Sequence, residues 1–225
     1  MKKDHYYQLG LKTLALIKDQ RPKPKLLLHS CCAPCNCYPM LYLHEYFDMT
    51  LYFNNNNIYP YNEYQLRLDE LIKYTDDFNL QHQANIKIIT TTYDNETFNE
   101  SLEPYKDYPE RSSRCWLCYE LRMSEAYQYA DDHHFDYFTT VMTISRHKDA
   151  EVLNQIGERL ALQHQSVKYF HSDLKKGGGS DNSVALVKSL DLYRQQYCGC
   201  IYSYRDMLKR KSQKSTSLHK NDDII

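Results

Sequence analysis

The run Lys25-Leu26-Leu27-Leu28-His29-Ser30, followed at once by Cys31-Cys32-Ala33-Pro34-Cys35-Asn36-Cys37, decides how this chain folds. A short apolar run after the helix-breaking Pro22 and Pro24 reads as a strand buried on both faces of a parallel sheet. In such sheets the ligand site lies beyond the C-terminal ends of the strands. Here that place is filled by thiols.

Working outward, residues 1–18 have helical spacing, with Tyr7, Leu11, Leu14 and Ile17 available for one face. Residues 41–47 continue the cysteine segment as a helix, and residues 49–53 give a second strand that ends in the turn-forming Asn54 to Asn57 run. A helix over 63–78, a β-branched strand over 86–92 and a loop rich in Asp, Asn and Pro come next. A helix over 115–130, a strand over 135–142, a helix over 150–162 and a short strand over 167–170 complete the alternation. Residues 175–182 contain Gly177-Gly178-Gly179 and read as a flexible loop, with a helix over 184–192 and a tight irregular stretch at 197–200 after it. Strands alternating with helices predict an α/β fold with a mostly parallel sheet. The expected organisation is a single domain over 1–204, N-terminal helix included, and a basic, flexible tail over 205–225.

With 225 residues, 42% hydrophobic and 25% charged, the chain is long enough for one full core. A net charge of -1 neither suggests nor excludes a nucleic-acid partner. No apolar run approaches the roughly 20 residues that cross a bilayer, and residues 1–10 are polar. No membrane partner and a cytoplasmic location are therefore expected, where thiols stay reduced and serve metals or redox chemistry more often than structural bridges.

The eight cysteines fall in three tight groups: Cys31, Cys32, Cys35 and Cys37; Cys115 and Cys118; Cys198 and Cys200. Cysteines used as small core hydrophobes would be scattered. Cys115-Trp116-Leu117-Cys118 sets two thiols one helical turn apart, within reach of one metal ion or cluster. Alone this spacing suits zinc, iron–sulfur or a dithiol; Tyr119 stands where a c-type haem motif needs His. Cys31, Cys32 and Cys35 can complete a four-thiolate site. Adjacent Cys31 and Cys32 share a site only if the strand has ended and turned there, and Pro34 favours such a turn. In Cys198-Gly199-Cys200 one glycine permits a small, strained disulfide ring, which suits a cycling redox pair better than a structural staple. Two further metal ligands are the competing reading.

Four pieces in order resemble the cobalamin-independent epoxyqueuosine reductase family. They are Leu28-His29-Ser30-Cys31-Cys32-Ala33-Pro34-Cys35; Asn57-Ile58-Tyr59-Pro60 with Glu63, Tyr64 and Arg67; Arg114-Cys115-Trp116-Leu117-Cys118-Tyr119 with Arg122; and Leu192-Tyr193-Arg194-Gln195-Gln196-Tyr197-Cys198-Gly199-Cys200. The resemblance runs from about Lys25 to Tyr202 and is specific as an ordered set. It implies a Rossmann-like three-layer sandwich similar to the adenine-nucleotide alpha-hydrolases, and a [4Fe–4S] cluster on Cys31, Cys32, Cys115 and Cys118. It also implies a redox-active pair at Cys198 and Cys200, and an additional iron for which Cys35 is the candidate thiol. Cys37 is less central. The implied reaction reduces epoxyqueuosine to queuosine at the wobble position of tRNA, with electrons from a donor the sequence does not identify. ATP-using relatives carry a glycine- and serine-rich phosphate loop after the first strand; residues 31–37 hold no glycine, so no use of ATP is expected.

Neighbouring residues have a functional and a bland reading. His29 can orient a ligand or donate a proton, or be a satisfied buried histidine. Arg111, Arg114, Arg122 and Arg194 can meet phosphate or offset cluster charge, or form ordinary salt bridges. Tyr193, Tyr197 and Trp116 can stack on a splayed-out base, although core packing is the commoner use. Lys209, Arg210, Lys211, Lys214 and Lys220 can touch an RNA backbone or stay solvated. The rival functions are a zinc-bound structural or nucleic-acid-binding module, and a thiol or sulfur-transfer enzyme acting on tRNA.

Overall fold

The computed structural model describes residues 4–219. Its centre is a five-stranded sheet in the order β3-β2-β1-β4-β5. The strands are β1 (Lys25–His29), β2 (Asp48–Phe53), β3 (Lys87–Thr90), β4 (Tyr137–Thr140) and β5 (Lys168–Tyr169), and every pairing is parallel. The quoted apolar run is thus the middle strand, flanked by β2 and β4. Its side chains alternate as a two-residue period demands. Leu26 and Leu28 enter one core and Leu27 the other.

Helices cover both faces. On one side α1 (His5–Ile17), α2 (Ala33–Leu43), α3 (Tyr61–His82) and α7 (Gly179–Ser189) contribute Leu14, Met40, Leu43, Leu71 and Val187. On the other, α5 (Ser113–Asp132) and α6 (Ala150–Gln163) contribute Met123, Tyr127, Leu153 and Ile156. The expected three-layer α/β sandwich is present. The chain leaves β1 toward β2 on one side and reaches β4 on the other, so the strand order reverses between β1 and β4. That is where an open α/β sheet leaves a crevice for ligand.

Four local expectations are corrected. The helix placed at 41–47 starts eight residues earlier, at Ala33, and runs through Pro39. Pro34 occupies its first turn, where the missing N–H costs nothing. The loop after β3 contains α4 (Asn95–Leu102), whose N-cap Asp94 accepts from the Thr97 backbone N–H at 3.1 Å. The glycine run is the N-terminal boundary of α7: Gly177 and Gly178 take left-handed φ values of 58° and 82°. In place of a loose tail, α8 (Ile201–His219) begins directly after Cys200 and buries Ser203 and Met207. Residues 220–225 of the expected tail lie outside the described residues.

The contact between α6 and β5 leaves no room at Gly157, where a Cβ would fall 2.2 Å from the Tyr169 ring. Gly157→Ala therefore overpacks this layer and costs about 1–3 kcal/mol. Thermal unfolding should show a melting point lower by roughly 2–10 °C; an unchanged melting point would contradict this packing.

Candidate metal and thiol centre

β1 ends at His29, and Cys32 is the extended N-cap residue of α2. The turn needed for Cys31 and Cys32 to face one site is made by this junction. Asn36 fixes it, donating to the Cys32 carbonyl at 2.8 Å while accepting from Ser30 Oγ at 2.8 Å. The result is a buried Cys31 Sγ at 3.8 Å from Cys32 Sγ. Cys35, on the first turn of α2, brings the group to three sulfur atoms within 4.8 Å of one another. Among the described residues no other trio of possible ligand atoms lies that close.

The other thiols approach from two directions. Cys115 and Cys118 sit on the first turns of α5, one turn apart on one helix flank. Cys198 and Cys200 belong to an irregular segment held by α3. Arg67, only 2% exposed, pairs with Glu63 at 2.8 Å and donates to the carbonyls of Cys198 (3.1 Å) and Tyr197 (3.3 Å). The Tyr193 hydroxyl donates to Glu63 and its backbone N–H to Glu70, while the Tyr59 N–H donates to the Gly199 carbonyl at 2.8 Å. Gly199 has a φ of 132°, and a Cβ there would lie 3.0 Å from Arg67 Nη1. Glycine is required on both counts.

Two cations join the thiol groups electrostatically. Arg122, 3% exposed, faces Cys118, Cys198 and Cys31; half-buried Lys148 faces Cys198, Cys31 and Cys35. Burial would lower both side-chain pKa values, but the thiols outweigh it and both are raised. Cys31 is held well below the usual thiol range because Cys32 and Cys35 donate to it, with Lys148 and Arg122 adding to the effect against burial. Cys32 and Cys35 are pushed up by that same donation. Burial raises Cys115, Cys118 and Cys200.

The donor set fits a thiolate-bound metal centre. Cys31, Cys32 and Cys35 form a group able to hold a metal ion, and buried cations stand ready to offset anionic sulfur. Buried polar atoms beside the thiols also lack partners. Gln195 donates to Cys32 Sγ at 3.5 Å, yet its Oε1 is unpaired. His29 shares a 2.9 Å hydrogen bond between Nδ1 and Thr140 Oγ1, and its Nε2 is unpaired. Burial, with help from Arg122, drives the His29 pKa down to about 3, so the ring is neutral.

Residues 26–206 match the family model described as Epoxyqueuosine reductase QueH. The chain belongs to the epoxyqueuosine reductase family. A curated member from Histophilus somni is 39% identical over 186 residues, covering 82% of this chain and 74% of that protein. Another from Staphylococcus aureus is 34% identical over 203 residues, covering 89% and 84%. A solved NH3-dependent NAD synthetase from Campylobacter jejuni overlays with a TM-score of 0.35 at 13% identity, over 97% of this chain and 86% of that one.

In this family member the residues singled out from sequence separate into two neighbourhoods. Cys31, Cys32 and Cys35 form the tight trio. Cys115 and Cys118 feel Cys198, and Cys118 feels Cys200 as well; none of the four joins the close trio, and Cys118 and Cys198 meet it across Arg122 and Lys148. Cys37 turns into the core, its thiol donating to the Pro34 carbonyl at 3.3 Å. Sequence reasoning missed Lys148, which follows the 3-10 turn Val141–Ile144 at the end of β4. No local signal marks it in the sequence, because the cysteines it faces lie far away along the chain.

Arg67→Ala leaves the Glu63 carboxylate with the Tyr193 hydroxyl but no cation, and takes the guanidinium donor from two carbonyls. Losing one member of such a buried ion pair costs roughly 3–5 kcal/mol. Chemical denaturation should show that loss; a variant as stable as the parent would mean that α3 does not hold the 193–199 segment.

Proposed function

We propose that this thiol chamber removes the epoxide oxygen of epoxyqueuosine at the wobble position of tRNA, leaving an alkene and water. As a member of its family the chain is an oxidoreductase of queuosine biosynthesis, and epoxyqueuosine is what it reduces. Cys31, Cys32, Cys115 and Cys118 would hold a [4Fe–4S] cluster, and Cys35 a further iron. When bound, such a centre supplies single electrons and a Lewis-acidic iron.

The electron balance assigns the remaining pair. Deoxygenation consumes two electrons and two protons. When Cys198 and Cys200 close to a disulfide they release that number of each, and the epoxide oxygen departs as water. An external electron donor then reopens the disulfide. No step calls for ATP. Lys148 and Arg122 stabilise the thiolate form of the cysteines they face. The place of action is the cytoplasm; no described helix is long and apolar enough to cross a membrane.

The observation that carries this reading is the meeting of thiols from three distant segments around Arg122 and Lys148. A second reading is favoured by the tight grouping of Cys31, Cys32 and Cys35. It makes those three, with one further thiolate, the ligands of one zinc ion in a closed four-thiolate structural site. Anaerobic purification separates the two, since an iron–sulfur protein is brown and a zinc protein colourless.

Reconstituted protein, given epoxyqueuosine-containing tRNA and a reductant, should yield queuosine on nucleoside analysis. Cys198→Ser or Cys200→Ser should reduce turnover to background while the visible absorption stays. Ser at Cys31, Cys32, Cys115 or Cys118 should lose both absorption and bound iron. Absorption that vanished with Cys198 or Cys200 would make that pair ligands and overturn the division of roles.

A further inference from the structure

Three aromatic residues near the cysteines had two readings from sequence, and the structure separates them. Tyr193 is tied to Glu63, and Tyr197 lies beside the Arg67 guanidinium with its hydroxyl donating to the Tyr59 carbonyl. Both are internal braces. Trp116 is 43% exposed, and among the described residues its indole has neither a hydrogen-bond partner nor a ring contact. A half-exposed indole offers a broad, rigid π-face with an N–H at its edge.

Its surroundings say what fits. Trp116 follows Cys115 on the first turn of α5 and projects about 100° around the helix from that thiol. One turn on, Tyr119 lies in the field of Lys148, and Glu120 pairs with Arg159 of α6 at 3.0 Å. This flank of α5 therefore faces the loop over residues 145–149. From that loop His147 meets Arg111, whose Nη2 lies 2.7 Å from His147 Nδ1. Among the described residues neither pairs with a carboxylate. Arg111 also takes a left-handed φ of 67°, a strained conformation for a residue with a Cβ, and its N–H donates to Cys115 Sγ at 3.3 Å. Of the nearby acids, Asp149 caps α6 and Asp181 pairs with Arg146. With Arg146 taken by Asp181 and Lys148 turned toward the thiols, Arg111 and His147 remain as polar donors without a carboxylate, held to Cys115, the residue before the exposed indole.

We propose that Trp116 is a stacking platform for an unpaired base of the RNA loop that carries the substrate nucleoside, with Arg111 and His147 holding an adjoining phosphate. A π-face beside cationic donors is the arrangement that binds single-stranded nucleic acid, and a paired duplex offers no free base to it. The proposal rests on the tRNA reading above and adds the positioning residue that reading lacks. Trp116 stands outside the thiol ligands, so it sets where the loop sits and leaves the electron transfer to the cysteines.

Trp116 is the only tryptophan in the chain, so its emission reports this position alone. Reconstituted full-length protein is titrated with a tRNA anticodon stem–loop and, separately, with a fully paired duplex of equal length. The loop RNA should quench the emission and the duplex should not. By anisotropy of labelled RNA, Trp116→Ala should weaken binding about ten-fold or more. Trp116→Phe should recover most of that loss, and neither change should alter the visible absorption. Arg111→Ala should flatten the salt dependence of binding. Unquenched emission on RNA-saturated protein, or parental affinity in Trp116→Ala, would overturn the platform. So would quenching by a purified protein electron donor and not by RNA. If RNA quenches Trp116 but epoxyqueuosine is not reduced, the reaction assignment fails and the platform stands. If queuosine forms with an unchanged KM in Trp116→Ala, the reverse holds.

Discussion

The Arg67 guanidinium is the constraint on which the chamber depends. Residues 193–199 have no regular secondary structure, so little but directed polar contacts can place Cys198. Arg67 supplies them by spending its planar fork in three directions: Glu63 on its own helix, the Tyr197 carbonyl and the Cys198 carbonyl. Lysine, with its compact ammonium, could not span that set. Removing a guanidinium from water is repaid only when its donors are satisfied, so the loop has one well-satisfied position, with Gly199 closed down on the arginine. α3 thus carries the last thiol pair to the crevice that β1 and β4 open.

The chamber must also solve a charge problem. Thiols that act as ligands or reductants do so as thiolates, and several buried close together repel. Arg122 and Lys148 answer this from different elements, one on α5 and one in the segment after β4. Each sees sulfur from more than one segment, so neither belongs to a single local motif. The attraction between each cation and the thiolates it faces offsets the cost of taking both out of water.

Much of this could be read in the sequence, for identifiable reasons. The triple leucine with an abrupt change to cysteine marked both the central strand and the site at its end. The period-two split of Leu26 and Leu28 from Leu27 follows from that strand being buried on both faces. Pro39 concealed the start of α2, because a proline inside a helix usually ends it; here its main loss is the N–H that would have reached the Cys35 carbonyl. α4 was hidden by its shortness and polarity. Lys148 was illegible because its importance comes from distant cysteines and from no neighbour in the chain. The partition of the thiols was illegible for the same reason: spacing shows which cysteines share a turn, and only the fold decides which turns meet.

Where each thiol pair is mounted bears on what it can do. Cys31, Cys32 and Cys35 stand at a strand end and the first turn of a helix, and Cys115 and Cys118 on consecutive helical turns. Such mountings hold sulfur atoms at fixed separations, as a bound metal requires. Cys198 and Cys200 are separated by a glycine and flanked by an irregular segment on one side and the start of α8 on the other. A dithiol that cycles must bring its sulfurs to about 2 Å and release them again. That movement asks for a backbone with a soft link between the two cysteines and firm anchors outside it. Arg67 anchors the Cys198 carbonyl, Tyr59 the Gly199 carbonyl and Ser203 the Cys200 sulfur, which leaves the dihedral freedom of Gly199 as the link between the two cysteines. The same backbone thus provides two kinds of mounting: fixed separations at a strand end and on helical turns, and a glycine-linked pair between two anchored segments.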